Sequence, residues 1–250
     1  MNNITILFLV LLISSSLSAG KITIAVAANV SYAIEELKEE FIKAHPQISV
    51  AVTLGSSGKL SAQIKNGAPY GLFMSANMKY PEALYSDKIA MNKPVVYAQG
   101  GLAYLSVQKR DFSKGMALLE DEAIERIAIA NPKTAPYGKA AVEAMKRAGI
   151  YERVKAKLVY AESISQTVSY AVTAAHIGLI AQSSLYSPHM AGYTEGVNWM
   201  SIDPSLYTPI KQGIVLLRHG RDNAEYVAFY DFILSDQAKM ILKKYGYIVF

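Results

Sequence analysis

Short apolar segments and amphipathic segments alternate along this chain, and the links between them are only a few residues long. The first five segments predict strand, helix, strand, helix and strand over residues 21–27, 32–44, 48–54, 59–65 and 71–74. Links this short between alternating strands and helices favour a parallel sheet with helices on its faces. The pattern therefore predicts an α/β fold.

The same alternation occurs a second time further along the chain. Strands and helices are predicted over 127–130, 136–147, 158–160, 165–175 and 177–181. The segments outside the two units are apolar runs at 95–97, 102–107 and 214–217 and a helical period over 226–245. We therefore predict two lobes, each a mainly parallel sheet flanked by helices. Lobe 1 comprises residues 20–98 and 211–250, and lobe 2 comprises residues 99–210.

The first residues of the chain differ from the rest. Residues Ile4 to Ile13 are nearly all apolar, and Ser14 to Gly20 are mostly small. An apolar core followed by small residues is the pattern of a secretory signal peptide, although no Lys or Arg precedes it here. The alternative, an uncleaved membrane anchor, needs about 20 apolar residues, and this run is shorter. We expect a signal peptide over residues 1–19, cleaved on export to the periplasm.

The composition excludes several classes of protein. Hydrophobic residues make up 52% and charged residues 18%, which favours a globular core over disorder. The absence of cysteine excludes disulfides, thiolate metal sites and a lipidated cysteine. The net charge of +5 comes from Lys and Arg dispersed among acidic residues, so we expect no nucleic-acid partner. The four histidines share no ligand spacing, and we expect no site for a bare metal cation.

Small or polar residues stand where several predicted strands end and helices begin. They are Asn29, Ser31, Ser56 and Ser57 in the first unit and Tyr137, Gly138 and residues 163–165 in the second. Helix N-termini expose unpaired N–H groups and the positive end of the helix dipole. Several of them converging on one cleft would bind an anion without a fixed cation. The alternative is that each residue only caps its helix, and at this point both interpretations stay open.

Five segments resemble, in the same order, the motifs of periplasmic molybdate-binding proteins, the substrate-binding components of ABC importers. The segments are Ala27–Ala33, Gly55–Ala76, Ala130–Ala140, Ala161–Gln166 and Phe229–Gly246. The second contains Gly-Ser-Ser-Gly-Lys-Leu, Asn-Gly-Ala-Pro and Leu-Phe-Met-Ser-Ala, and the third contains Ala-Pro-Tyr-Gly. Each motif alone is weak evidence, but five in the right order cover essentially the whole chain after the signal peptide.

The resemblance implies a two-lobed, type II periplasmic-binding fold that holds an oxyanion between its lobes through hydroxyl and N–H groups. Carried over by position, Asn29 and Ser57 are ligands from lobe 1. Tyr137 and Ile164 are ligands from lobe 2, mainly through their main-chain N–H groups. The implied function is capture of molybdate or tungstate and delivery to the membrane permease of an ABC importer. We expect a monomer without enzymatic activity or a cofactor.

Two positions near the implied site differ from the family pattern. Asn29 stands where many relatives have Ser, but its amide can also donate a hydrogen bond. Ala181 stands where some relatives place an oxyanion-binding Tyr, and the following Gln182 or Ser183 could supply a donor instead. The additional candidate ligands are Ser31, Ser56, Ala181 and Gln182.

Two other functions compete with this one. Another oxyanion such as sulfate would use the same donors, whereas protonated phosphate would need an acceptor, and no carboxylate falls in the four turns. The spacing Ser56-x-x-Lys59 matches the start of a serine-hydrolase signature, but the partner motifs Ser-Asp-Asn and Lys-Thr-Gly are absent. A hydrolase is therefore the weaker alternative.

Overall fold

The computed structural model describes residues 20–250, and the predicted signal peptide over residues 1–19 lies outside this range. The strands are β1 (Gly20–Ala27), β2 (Ile48–Gly55), β3 (Leu72–Ser75), β4 (Val95–Gly100), β5 (Leu102–Leu105), β6 (Ile127–Ala130), β7 (Leu158–Ala161), β8 (Ile177–Ala181), β9 (Trp199–Ser201) and β10 (Ile210–Leu216). The α-helices are α1 (Ile34–Ala44), α2 (Ser57–Lys65), α3 (Lys79–Ser86), α4 (Pro136–Arg147), α5 (Tyr151–Val154), α6 (Ile164–Thr173), α7 (Ala224–Leu234) and α8 (Asp236–Lys244). Within residues 20–250, no helix is both long and apolar enough to cross a bilayer.

The strands form two five-stranded sheets, in the orders β2-β1-β3-β10-β4 and β7-β6-β8-β5-β9. In the first sheet β1 runs parallel to β2 and β3, whereas β10 runs antiparallel to β3 and β4. In the second sheet β6 runs parallel to β7 and β8, whereas β5 runs antiparallel to β8 and β9. The predicted two-lobed α/β fold is confirmed, with sheets that are mixed instead of mainly parallel.

The antiparallel pairings arise because the chain crosses between the two sheets. It leaves the first sheet between β4 and β5, where Gly101 alone separates the strands, and it returns between β9 and β10. Strands β5 and β10 are thus the ones on which the chain enters a new sheet, and both run against their neighbours. The predicted lobe boundaries at 98/99 and 210/211 lie near these crossings and stay predictions.

Apolar side chains fix the helices on each sheet. In the first lobe, Leu37 and Phe41 of α1 are fully buried, and the Phe41 ring meets Phe229 of α7 edge to face at 5.0 Å. In the second lobe, Ala141 of α4 packs in the same buried cluster as Ile127 of β6. Full burial of a large apolar side chain contributes about 1.5–3 kcal/mol. The helices are therefore held firmly, and so are the turns at the strand ends from which they start.

The C-terminal tail differs from its prediction. The helical period over 226–245 is divided into α7 and α8. Ser235 lies between them with extended backbone angles, and its hydroxyl caps α8 by accepting a hydrogen bond from the N–H of Ala238 at 3.3 Å. Apolar residues continue through both helices, so periodicity alone did not reveal the break that a serine N-cap introduces.

Candidate anion-binding site

The turns singled out in the sequence surround one cavity between the two sheets. Its lining residues are Ala27, Ala28, Asn29, Gly55, Ser56, Ser57 and Ala76 from the first lobe and Ala135, Pro136, Tyr137 and Ile164 from the second. They lie at the carboxyl ends of strands in both sheets, where α/β folds place ligands. The cavity volume is about 10 Å³, room for one water molecule. A tetrahedral oxyanion is larger, so residues of the cavity wall must shift to hold it.

Ser57 is the first residue of α2 and is fully buried. Its Oγ accepts a hydrogen bond from the main-chain N–H of Ala76 at 2.9 Å. This contact fixes the oxygen through one lone pair and leaves the hydroxyl proton available as a donor. Ser57 therefore does not cap its helix through the side chain, and its hydroxyl is held at the cavity wall.

Ser56 occupies the N-cap position of α2 but does not cap it, because its side chain makes no capping hydrogen bond. Its Oγ is buried without a partner among the described residues. A buried hydroxyl without a partner costs about 1–3 kcal/mol, so an anion that accepted from it would remove an existing penalty. Both serines at this turn are thus placed for a ligand, and the capping interpretation does not describe either of them.

Asn29 lies in the 3-10 turn Ala28–Val30 that follows β1, and it is fully buried. Its Nδ2 donates to Gln212 Oε1 at 2.7 Å and to Tyr247 Oη at 2.9 Å. Its Oδ1 has no partner among the described residues. The residue lines the cavity as expected, but the side-chain amide donates to neighbours in the protein.

Tyr137 contributes to the second wall through the N-terminus of α4. Pro136 and Tyr137 are the first two helical residues, and main-chain N–H groups in a first turn have no partner inside the helix. A Cβ at Gly138 would lie 2.0 Å from the carbonyl oxygen of Ala130, so only glycine lets α4 start this close to β6. Burial raises the pKa of the Tyr137 phenol well above its usual range, which keeps it neutral.

Ile164 is the first residue of α6 and lies at the opposite end of the same wall. The preceding residue, Ser163, is a true N-cap, because its Oγ accepts from the N–H of Gln166 at 3.3 Å. The cap takes the N–H of Gln166, whereas the N–H of Ile164 has no partner inside the helix and the residue lines the cavity. Capping and ligand binding are therefore separate roles of adjacent residues at this helix.

Three additional candidates lie elsewhere. Ser31 follows the turn that carries Asn29 but does not line the cavity, and its Oγ is buried without a partner among the described residues. Ala181 is buried in the apolar cluster of the second lobe. Gln182 lines a separate pocket that contains Gln99 and Tyr207. Of the four additional candidates, the structure brings only Ser56 to the cavity.

The cavity wall is uncharged, with a few polar groups set among mostly apolar residues. None of its lining residues is acidic or basic. Within residues 20–250, no three carboxylate or imidazole side chains converge as they would around a metal ion. Hydroxyl groups and helix N-termini from both lobes are the available donors, a set that suits an anion.

Two contacts that are at least partly exposed join the lobes beside the cavity. The N–H of Gly58 donates to the carbonyl oxygen of Thr134 at 2.9 Å. Lys59 Nζ lies 2.6 Å from Glu162 Oε1, and both side chains are about half exposed. We call these two pairs the exposed interlobe contacts.

A group of buried polar residues that sequence reasoning missed lies beneath the cavity. We call it the buried network; its members are Asn29, Tyr97, Tyr137, Gln212 and Tyr247. Gln212 Oε1 accepts from Tyr97 Oη at 2.8 Å, and Gln212 Nε2 donates to Tyr137 Oη at 3.3 Å. A single glutamine within the apolar strand β10 was the one sequence signal for it. Only the fold shows that the other four members of the network, which come from four separate segments, lie beside it.

Comparisons with known proteins agree with the two-lobed fold. A family model described as bacterial extracellular solute-binding protein matches residues 22–248. The molybdate-binding protein ModA of Rhodobacter capsulatus is 37% identical over 247 residues, covering 98% of this chain and 94% of that protein. ModA of Azotobacter vinelandii is 33% identical and covers 94% of this chain and 93% of its own length.

A solved structure gives the same result for the fold. The periplasmic molybdate-binding protein of Azotobacter vinelandii matches this chain with a TM-score of 0.83 and 28% sequence identity, covering 91% of this chain and 99% of that one. The resemblance inferred from the five sequence motifs is thereby confirmed. This chain belongs to the family of bacterial extracellular solute-binding proteins.

Proposed function

We propose that this protein captures molybdate or tungstate in the cavity between its lobes. The observation that carries the proposal is the convergence of Asn29, Ser57, Tyr137 and Ile164, drawn from both lobes, on one uncharged cavity. The molybdate-binding relatives share the fold over nearly the whole chain, which supports the choice of ligand.

The proposed donors supply enough energy without a fixed cation. A hydrogen bond to a charged group contributes about 1.5–3 kcal/mol, so about six give roughly 10–18 kcal/mol before desolvation and closure are subtracted. A submicromolar dissociation constant needs about 8 kcal/mol net. Neutral donors also suit a carrier, because an ion held by full charges would be harder to release.

The cellular role follows from the same proposal. We infer that the protein is exported to the periplasm through residues 1–19 and delivers its oxyanion to the permease of an ABC importer. A carrier must return its ligand unchanged, so the protein is not an enzyme. Support comes from the extracellular solute-binding family and from relatives of known molybdate-binding function.

Isothermal titration with molybdate, tungstate, sulfate and phosphate tests this function. Molybdate or tungstate should bind with a submicromolar dissociation constant and should raise the melting temperature, because the ligand binds only the folded state. Sulfate and phosphate at equal concentration should do little. If sulfate binds as tightly and stabilises as much as molybdate, the assignment of the ligand is wrong and a general oxyanion carrier replaces it.

A further inference from the structure

The side-chain amide of Asn29 is oriented unfavourably for an anion. Nδ2, its only donor group, is taken by Gln212 Oε1 and Tyr247 Oη, as described above. Within residues 20–250, the acceptor Oδ1 has no hydrogen-bond partner. An oxyanion that met Oδ1 would place one acceptor against another. A ligand role for this side chain therefore requires the amide to turn over.

Gln212 controls whether that turn is possible. It is fully buried, and its Oε1 accepts from both Asn29 Nδ2 and Tyr97 Oη. If the Asn29 amide turned alone, Asn29 Oδ1 would face Gln212 Oε1 at hydrogen-bond distance, again acceptor against acceptor. The two amides can reverse only together, because each carries one donor end and one acceptor end of nearly equal size.

The reversed arrangement preserves the contacts of Gln212, but the Tyr97 hydroxyl proton loses its acceptor, a cost that the new hydrogen bond to the anion must offset. Gln212 Nε2 then donates to Asn29 Oδ1 and to Tyr97 Oη, while Gln212 Oε1 accepts from Tyr137 Oη. Tyr247 Oη, which donates to the main-chain oxygen of Asn29 in this structure, can donate to Asn29 Oδ1 instead. The main-chain oxygen then keeps its second donor, Ser183 Oγ at 3.0 Å. Asn29 Nδ2 is released toward the anion.

The phenols are able to serve both arrangements because they stay protonated. Burial raises the pKa of Tyr97 and Tyr137 well above the usual range and raises the pKa of Tyr247 to about 12. A neutral phenol can donate or accept, so it can adapt to either orientation of the neighbouring amide. A charged group in the same place would favour a single orientation.

We propose that Gln212 is a positioning residue that reverses together with Asn29 when the anion binds and thereby presents the Asn29 amide N–H to it. This proposal rests on the proposed function. Since Gln212 also contacts Tyr137 Oη of the other lobe, the reversal links the anion to the contact between the lobes. Gln212 need not touch the ligand, because it acts through the orientation of Asn29.

A double-mutant cycle tests the proposal, with molybdate titrated into wild type, Gln212→Met, Asn29→Ala and the double variant. Gln212→Met keeps the volume and removes the amide, and it should weaken binding by about tenfold in the wild-type background. In the Asn29→Ala background it should cost about twofold or less, because the group that it orients is gone. Equal losses in both backgrounds, or no loss in either, would overturn the proposal.

Tyr207→Phe is the matched control for this cycle. It removes another buried hydrogen bond, from the N–H of Leu102 to Tyr207 Oη at 3.0 Å, which involves neither Asn29 nor Gln212. Its effect should therefore be the same in both backgrounds. If Gln212→Met does not fold, as judged by melting without ligand, Gln212→Asn replaces it. That variant keeps an amide too short to reach both Asn29 and Tyr137.

A pH profile of Gln212→Glu separates orientation from simple packing. An ionised carboxylate only accepts, so it would hold Asn29 Nδ2 and keep Oδ1 toward the anion. The affinity of this variant should fall as pH rises, and the fall should be steeper with Asn29 present than in Asn29→Ala. Identical slopes would refute an action through Asn29. If wild type does not bind molybdate, the proposed function fails; if it binds and the cycle is additive, only this inference fails.

Discussion

The lobes of this protein meet in two regions with opposite character. The exposed interlobe contacts join Gly58 to Thr134 and Lys59 to Glu162 at the protein surface. The buried network joins the lobes through Gln212 and Tyr137, away from solvent. An exposed ion pair contributes about 0–1 kcal/mol, whereas leaving a buried polar group unpaired costs about 1–3 kcal/mol. Contacts in the two regions therefore restrain the lobes to different degrees.

This difference indicates how the cleft works. The exposed contacts can break at little cost, because water replaces each lost partner. The buried network must keep its polar groups paired in every state, so it can exchange partners but cannot simply open. We infer that the anion enters on the exposed side, while the buried side determines which donors it meets. Substitutions on the buried side should consequently have the larger effects on binding.

The largest expected effect is that of Asn29→Asp. The change keeps the shape but places a carboxylate at the wall, and two negative groups repel strongly where the local dielectric is low. Binding of molybdate should fall well over tenfold, to about a hundredfold, at neutral pH. Burial raises the pKa of such a carboxyl, so affinity should recover partly as pH falls, while the ligand remains a dianion. Titration at several pH values measures both effects.

Asn29→Ser is the control for this substitution, because a hydroxyl also donates and carries no charge. It should lose much less affinity than Asn29→Asp. Near-wild-type binding by the Asp variant would remove Asn29 from the site and would leave it only a structural role in the buried network.

Ser57→Ala should have the next largest effect. The variant loses a hydroxyl that is oriented by the N–H of Ala76, and that N–H is left without its acceptor. Loss of a hydrogen bond to a charged ligand costs about 1–3 kcal/mol, or roughly 5- to 150-fold in the dissociation constant. The melting temperature without ligand should change little in comparison. If affinity is unchanged and only the melting temperature falls, Ser57 holds the turn and not the anion.

Much of this architecture was predictable, because it depends on local pattern. The strand over 21–27 and the helix over 136–147 were read from apolar runs and from Pro136 at a helix start, and the structure has them as β1 and α4. The turn residues Asn29, Ser57, Tyr137 and Ile164 meet at one cavity because the carboxyl ends of parallel strands share an edge.

The buried network could not be predicted in the same way. Tyr97 and Tyr247 are far from Asn29 in sequence, and nothing local distinguishes them from ordinary residues of an apolar strand or a chain terminus. Gln212 is a glutamine within an apolar strand, but the sequence does not show its partners. Their contacts depend on the return of β10 to the first sheet between β3 and β4. Likewise, Gln182 was a candidate donor to the anion, but that role depended on the direction of its side chain after β8. In the structure Gln182 lines another pocket.

Gly58→Ala tests the exposed side by steric means. A Cβ there would lie 2.9 Å from the carbonyl oxygen of Thr134 and 2.7 Å from Tyr80 Oη. Because the atom of Thr134 is a backbone oxygen, it cannot rotate away as a side chain could, and the lobes would have to stay slightly apart. Overpacking of this kind costs about 1–3 kcal/mol. Molybdate binding should weaken by about tenfold, and scattering in solution should show a less compact ligand-bound form. Wild-type affinity would mean that the ligand-bound lobes do not approach as closely as they do here.

The smallest expected effect is that of Lys59→Met. Comparing the sign of its effect on affinity with the sign for Glu162→Gln distinguishes two roles of this ion pair. Each substitution breaks the same exposed ion pair, and each should change the affinity by about threefold or less. If the pair matters only by holding the lobes together, both variants bind equally less tightly. If the charges act on the ligand, Lys59→Met weakens dianion binding, whereas Glu162→Gln strengthens it by removing a repulsive charge.

Titrations of both variants at low and high ionic strength distinguish the two roles. At about 1 M salt the screening length falls to about 3 Å, so an effect of the charges on the ligand disappears. We expect the opposite signs at low salt, because the cavity itself carries no charge and these two residues are the charged pair that crosses beside it.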